Sequence, residues 1–179
     1  MNTLVPRKKA GANYVEPHTP ITLNRTNLYQ PWLRAIRIYL SLSLVGNLMW
    51  EAIQLPLYTI WQTGTSKQLA FAVIHCASGD FLIASSALVV ALMTVGHNDW
   101  PVARFKQVAV VAVALGLGYT IFSEWLNVFV RTTWSYSEWM PVVSFAGWKI
   151  GLAPLLQWII VPTACFLCTR TASPPVQLE

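Results

Sequence analysis

The stretch LAFAVIHCASGDFLIASSALVVALMTV, residues 69–95, decides how the rest of the chain is read. Its only acidic or basic side chains are His75 and Asp80. A helix rising about 1.5 Å per residue needs about 20 such residues to cross a hydrocarbon core of about 30 Å. Three more apolar segments follow the same pattern, at about 38–60, 108–130 and 150–167. Backbone groups in lipid must be satisfied within the segment, which predicts helices. The alternating segments of about 10 residues that a transmembrane barrel needs are missing.

Composition points the same way. The 179 residues are 55% hydrophobic and 11% charged, with a mean hydropathy of +0.48, whereas soluble domains carry about 25% charged residues. A soluble globular domain and a disordered chain are both excluded. Three cysteines are too few for a disulfide scaffold. The expected fold class is all-α: a polytopic membrane protein with a four-transmembrane-helix bundle over 31–170. A polar N-terminal tail over 1–30 and a C-terminal tail over 171–179 flank it.

Basic residues set the expected orientation. Arg7, Lys8, Lys9, Arg25, Arg34, Arg37, Arg104, Lys106 and Arg170 fall on one side of the four segments; Lys67, Arg131 and Lys149 fall on the other. The positive-inside rule then places both tails in the cytoplasm. The net charge of +5 is a topology signal, and with no separate basic domain a nucleic-acid partner is excluded. Arg7, Lys8 and Lys9 are followed by Ala10-Gly11-Ala12-Asn13-Tyr14 instead of an apolar run, so no cleavable signal is expected. The outer segment 125–149 carries Trp125, Trp134, Tyr136, Trp139 and Trp148, residue types that favour the membrane interface. This Trp-rich loop between the third and fourth helices is expected to include an interfacial helix ended near Met140-Pro141.

Ionisable groups inside the spans carry the functional signal, because each costs about 2.5–3.5 kcal/mol at a helix centre. Glu51, His75, Asp80 and Glu124 form a candidate acid/base cluster. Counting about 1.5 Å per residue puts all four at the centre or in the outer half. Asn47, Glu51 and Gln54 share one face of the first helix; Thr120, Ser123, Glu124 and Asn127 share one face of the third. His75 and Asp80 lie about 140° apart around the second helix, so both reach one cavity only with help from a neighbouring helix. The expected cavity has Trp50, Gln54, Tyr119, Asn127, Trp134 and Tyr136 as candidate ligand-binding walls. The alternative is that these polar groups pair across helices and only fix the packing.

A carboxyl group and a histidine in a low-dielectric site suit general acid–base work. Ser78-Gly79 is not a GxSxG elbow. A single histidine within the spans and the missing Glu-x-x-His repeat argue against haem and di-iron sites, and the sequence identifies neither a metal ligand set nor a cofactor. Cys165 and Cys168 form a C-x-x-C facing the reducing side and are read as packing residues. Gly116 and Gly118 of the third helix, and Cys76, Ala77, Gly79, Ala84, Ser85 and Ser86 of the second, are read as a close contact between those two helices. Pro56, Pro154 and Pro162 are expected to bend or end the first and fourth helices, leaving Gln157 to bond freed carbonyls or to line the cavity.

The strings Trp50-Glu51-Ala52-Ile53-Gln54-Leu55-Pro56-Leu57-Tyr58, His75-Cys76-Ala77-Ser78-Gly79-Asp80 and Phe122-Ser123-Glu124-Trp125-Leu126-Asn127 stand out, as do Trp134-Ser135-Tyr136-Ser137 and Met140-Pro141. Together, over about 50–162, they resemble a group of small bacterial four-helix membrane proteins with no assigned activity. That resemblance implies a bacterial inner (plasma) membrane location. The spacing of Glu51, Gln54-Leu55-Pro56 and His75 is also similar to the sterol-isomerase and sigma-2-receptor superfamily, which implies intramembrane acids and a histidine around a lipid-like ligand. Two functions stay open: a binding protein or enzyme for a hydrophobic, lipid-like small molecule, or a non-catalytic accessory subunit of a larger membrane complex. Membrane lipid is the expected surrounding partner in both.

Overall fold

In the computed structural model the described residues are 26–145 and 147–172. Helix α1 (Thr26–Gln54) is followed by a 3-10 turn (Leu55–Leu57), a short α2 (Ile60–Thr63), α3 (Ser66–Val95) and α4 (Phe105–Glu124). A π-helical turn, Trp125–Val130, extends α4; strands β1 (Val142–Phe145) and β2 (Trp148–Gly151) then lead into α5 (Leu152–Ala172). Three helical stretches are long and apolar enough to cross a membrane: Ser66–Val95, Phe105–Val130 and Leu152–Thr171. Helix α1 has 29 residues, but Arg34, Arg37, Asn47 and Glu51 make it more polar than those three. Each of α3 and α5 packs against both α1 and α4, so the four long helices close a ring in the order α1, α3, α4, α5.

Local chemistry accounts for the helix ends. Helix α1 stops at Gln54 and not near residue 60, because the residue before Pro56 is disfavoured in helical geometry and the chain tightens into the 3-10 turn. Its other end reaches back to Thr26, so residues 26–30 are helical instead of belonging to the expected tail. The remaining tail residues, 1–25 and 173–179, lie outside the described residues. Thr65 caps α3 in a reciprocal box with Gln68. Pro154 sits in the first turn of α5, where its missing N–H costs nothing, and Pro162 sits inside the helix.

The radial distribution of side chains is the inverse of a water-soluble bundle. Helix α1 turns Ala35, Tyr39, Ser43, Asn47, Glu51 and Gln54 inward, a stripe at four-residue steps that closes with a three-residue step. Its outward face shows Leu44, Val45, Leu48, Met49 and Ile53. Helix α3 buries Ala77, Ala84, Ala87 and Ala91, and exposes Phe71, Ile74, Leu82, Val89 and Met93. Small residues at helix contacts with large apolar residues outside is the arrangement expected in lipid.

One end of the ring is packed with aromatic and aliphatic side chains. Tyr39 packs on Phe166 at 4.5 Å with the rings tilted by 40°, Phe105 meets Phe166 edge-on at 5.8 Å, and Trp100 covers Phe105. Gly116 admits the Trp158 ring of α5: an added Cβ would stand 2.1 Å from Trp158 Cε3. This glycine therefore makes room for α5 and not for α3, contrary to the sequence reading. Gly79 and Gly118 face open space.

The other end is polar and is closed by irregular chain. The mostly helical architecture carries one element that the all-α expectation lacks: β1 and β2 form an antiparallel hairpin with Val143 opposite Ile150. The β-branched Val142 and Val143 suit a strand, and Gly147 at φ +85° supplies the turn. The interfacial helix expected before Met140 does not form. Residues 57–59 instead run beside 135–137, with Thr59 N–H donating to Ser135 O at 3.0 Å and Ser137 N–H to Leu57 O at 2.9 Å. Extended pairing satisfies both loops at once, which a lone helical turn cannot do.

Candidate functional site

Gln157 of α5 is 1% exposed and stands where the inward stripes of α1 and α3 meet. A buried primary amide has two N–H donors and one carbonyl acceptor to satisfy. Its Nε2 donates to Asn47 Oδ1 at 3.1 Å and to Asp80 Oδ2 at 2.8 Å. Its carbonyl accepts from Gln54 Nε2 at 3.4 Å. Gln54 also donates to Glu51 Oε1 at 2.7 Å and accepts from Trp50 Nε1 at 3.1 Å. The two amides thus tie α1, α3 and α5 together. Glu51 and Asp80 are each held by one of these amides, Glu51 by Gln54 and Asp80 by Gln157.

A second node lies on α4. Tyr136 donates its hydroxyl to Glu124 in a short contact and accepts from the Gly151 N–H at 2.9 Å. Burial, reinforced by the Glu124 charge, pushes the Tyr136 phenol well above its ordinary pKa, which keeps it a donor. Trp134 stands close to the same carboxyl group, but outside hydrogen-bond geometry, leaving its buried indole N–H without a partner among the described residues.

Both nodes face one partly open cleft of about 1030 Å³ at the hairpin end of the bundle. Glu51, His75, Asp80 and Glu124 all line it, together with Gln54, Tyr119, Asn127 and Trp134. Trp50 and Tyr136 are not among the lining residues; each sits one hydrogen bond behind the wall, on Gln54 and Glu124 respectively. His75 is exposed and stacks on Phe71 at 5.4 Å, while Asp80 reaches across to Gln157, so α5 supplies the help that the 140° offset demands. Asn127 spends its amide on Ser123 of its own helix. The π-helical turn that begins at Trp125 holds Asn127 against the cleft.

Several lining residues are not among the site candidates drawn from the sequence: Tyr58, Cys76, Thr120, Ser123, Trp158, and the cations Lys67 and Arg131. Thr120 and Ser123 were visible as parts of the α4 stripe. Tyr58 and Trp158 carried no periodic signal, because their placement depends on how separate helices meet. Among the described residues the single ion pair is His97–Asp99, in the loop between α3 and α4. No three His, Cys, Asp or Glu side chains among them gather in a way that would hold a metal ion. Cys165 is buried, Cys168 is exposed, and both are free thiols. Compared with protein-family models, curated proteins and solved structures, the chain matches none.

The hub predicts a specific cost. Gln157→Leu keeps the volume but leaves Asn47 Oδ1 and Asp80 Oδ2 without this donor. Unfolding in detergent micelles is expected to show a loss of about 1–3 kcal/mol, the cost of stranding a buried polar group. Unchanged stability would show that the amide network does not hold the helices.

Proposed function

We propose that this chain is a small integral membrane protein whose polar cleft binds a hydrophobic or lipid-like small molecule. The observation that carries the reading is that Glu51, Asp80 and Glu124, from three different helices, line one cleft. Each acid costs about 2.5–3.5 kcal/mol to place at the centre of a span. An interhelical hydrogen bond in a membrane protein returns on average only about 0.6 kcal/mol. Fixing helices is therefore a poor reason to keep three acids here; hydration and a ligand with polar groups are better ones. The volume suits an amphiphile at the upper end of the roughly 300–1,000 Å³ range of small-molecule sites. Carboxyl groups on the wall accept from a hydroxyl or amine and can exchange a proton with it, so the reading extends to acid–base chemistry on the bound molecule.

The topology belongs to the same proposal. Helix α1 serves as a fourth span, with Leu44, Val45, Leu48, Met49 and Ile53 outward and Asn47, Glu51 and Gln54 turned inward. Both termini lie in the cytoplasm of a bacterium, the chain crosses the inner membrane four times, and the hairpin end faces outward. The distribution of basic residues supports this orientation; the resemblance to small bacterial membrane proteins bears on the location alone. A reporter fused after Glu179 is expected to be active only in a cytoplasm-sensing format; activity only in a periplasm-sensing format would reverse the orientation.

The site itself is tested with Glu51→Gln and Glu124→Gln, which keep shape and remove acidity. Native mass spectrometry of the protein released from mild detergent is expected to show a lipid-sized adduct on the wild type, reduced on both variants, with melting temperatures shifted little. Loss of folding in both variants, with no selective loss of adduct, would return these acids to a packing role.

A further inference from the structure

The cleft is charged at two levels. Its walls hold Glu51, Asp80 and Glu124, while Lys67 and Arg131 line it at the ends of α3 and of the α4 extension nearest the hairpin. Along α3, Lys67 lies thirteen residues from Asp80, about 20 Å. Arg131 is seven residues past Glu124, on the order of 10 Å. Such separations keep cations and acids apart, and neither cation forms an ion pair among the described residues. Of the three cations assigned to the outer side, two line this one cleft, and the third, Lys149, is on β2 and does not line it. A membrane protein has few cations on that side, so two of them lining one cleft call for a reason. Gln68 adds to the mouth: its Oε1 is used by Thr65, in bonds of 2.8 and 2.9 Å, and its Nε2 makes no bond among the described residues.

We propose that Lys67 and Arg131 form a headgroup subsite for the anionic, phosphate-type head of an amphiphile whose body occupies the cleft below. The inference rests on the lipid-binding reading and adds the ligand's polarity: anionic head at the mouth, body between α3 and α4, hydrogen-bond donors toward the acids. Phe71, Leu82 and Tyr119 give the body an apolar wall, and all three are exposed, which leaves an acyl chain room to extend from the partly open cleft into the surrounding lipid. Arginine contributes a fork that matches two phosphate oxygens, and lysine a point charge.

The test compares wild type and Lys67→Ala/Arg131→Ala in nanodiscs containing equal amounts of phosphatidylglycerol and phosphatidylcholine. Lipid retained after mild detergent release is counted by native mass spectrometry. Wild type is expected to retain phosphatidylglycerol preferentially, and the double variant to lose that preference by roughly five-fold for each cation removed. Both side chains are exposed, so an unchanged melting curve is expected to accompany the loss. An equal preference in both proteins would overturn the headgroup subsite while leaving lipid binding intact. No retained lipid of either kind on wild type would overturn the underlying reading instead. Displacement of phosphatidylglycerol by millimolar inorganic phosphate would overturn the lipid assignment in favour of a free anion.

Discussion

A primary amide buried among packed helices must find a partner for each N–H, and at Gln157 both donors cross to other helices. One goes to Asn47 of α1 and the other to Asp80 of α3. That constraint fixes the rotation of three helices relative to one another. With Asn47 and Asp80 held, the α1 stripe has to present Glu51 and Gln54 to the same interior, and Asp80 faces the same cleft as Glu51. The fourth helix joins by a different device: Gly116 makes space for Trp158, the residue next to Gln157. Hub and glycine contact are thus adjacent on α5, and together they bring Glu124 of α4 to face the cleft.

The two ends of the bundle divide the work. Toward the loop between α3 and α4, the interior is filled mainly by aromatic and aliphatic side chains of α1, α4 and α5. Toward the hairpin, interior positions turn polar and the helices leave a cleft between them. The paired loops at 57–59 and 135–137 close over this end and carry Tyr136, whose hydroxyl links Glu124 to the backbone of Gly151. The packed end supplies rigidity, and the open end can then afford costly groups.

Much of this was legible in the chain. Apolar length marked the spans, and the stripes at Asn47, Glu51, Gln54 and at Thr120, Ser123, Glu124, Asn127 marked which helix faces turn inward, since both signals are local. The non-local features were hidden. Gln157 stood out only as a polar residue between two prolines, and nothing in the string says that its amide meets Asn47 and Asp80. Gly116 signalled a close approach but not to which helix. The strands were masked by the Trp-rich composition, which suggests an interface and leaves the backbone undecided. Trp50 and Tyr136 were marked by their neighbours in sequence, yet their side chains stand behind the wall, where they orient Gln54 and Glu124.

The central claim is that the cleft at the hairpin end is a binding site for a lipid-like molecule. A phospholipid carrying a photoreactive diazirine on its acyl chain, incorporated with the protein into nanodiscs, tests it most directly, with labelled positions mapped by peptide mass spectrometry. The account predicts labelling concentrated on the cleft face of α3 and α4, at His75, Gly79, Tyr119 and their neighbours, in excess of the lipid-facing positions Val89 and Met93. Labelling confined to the outward faces, with the cleft residues unmodified, would contradict it.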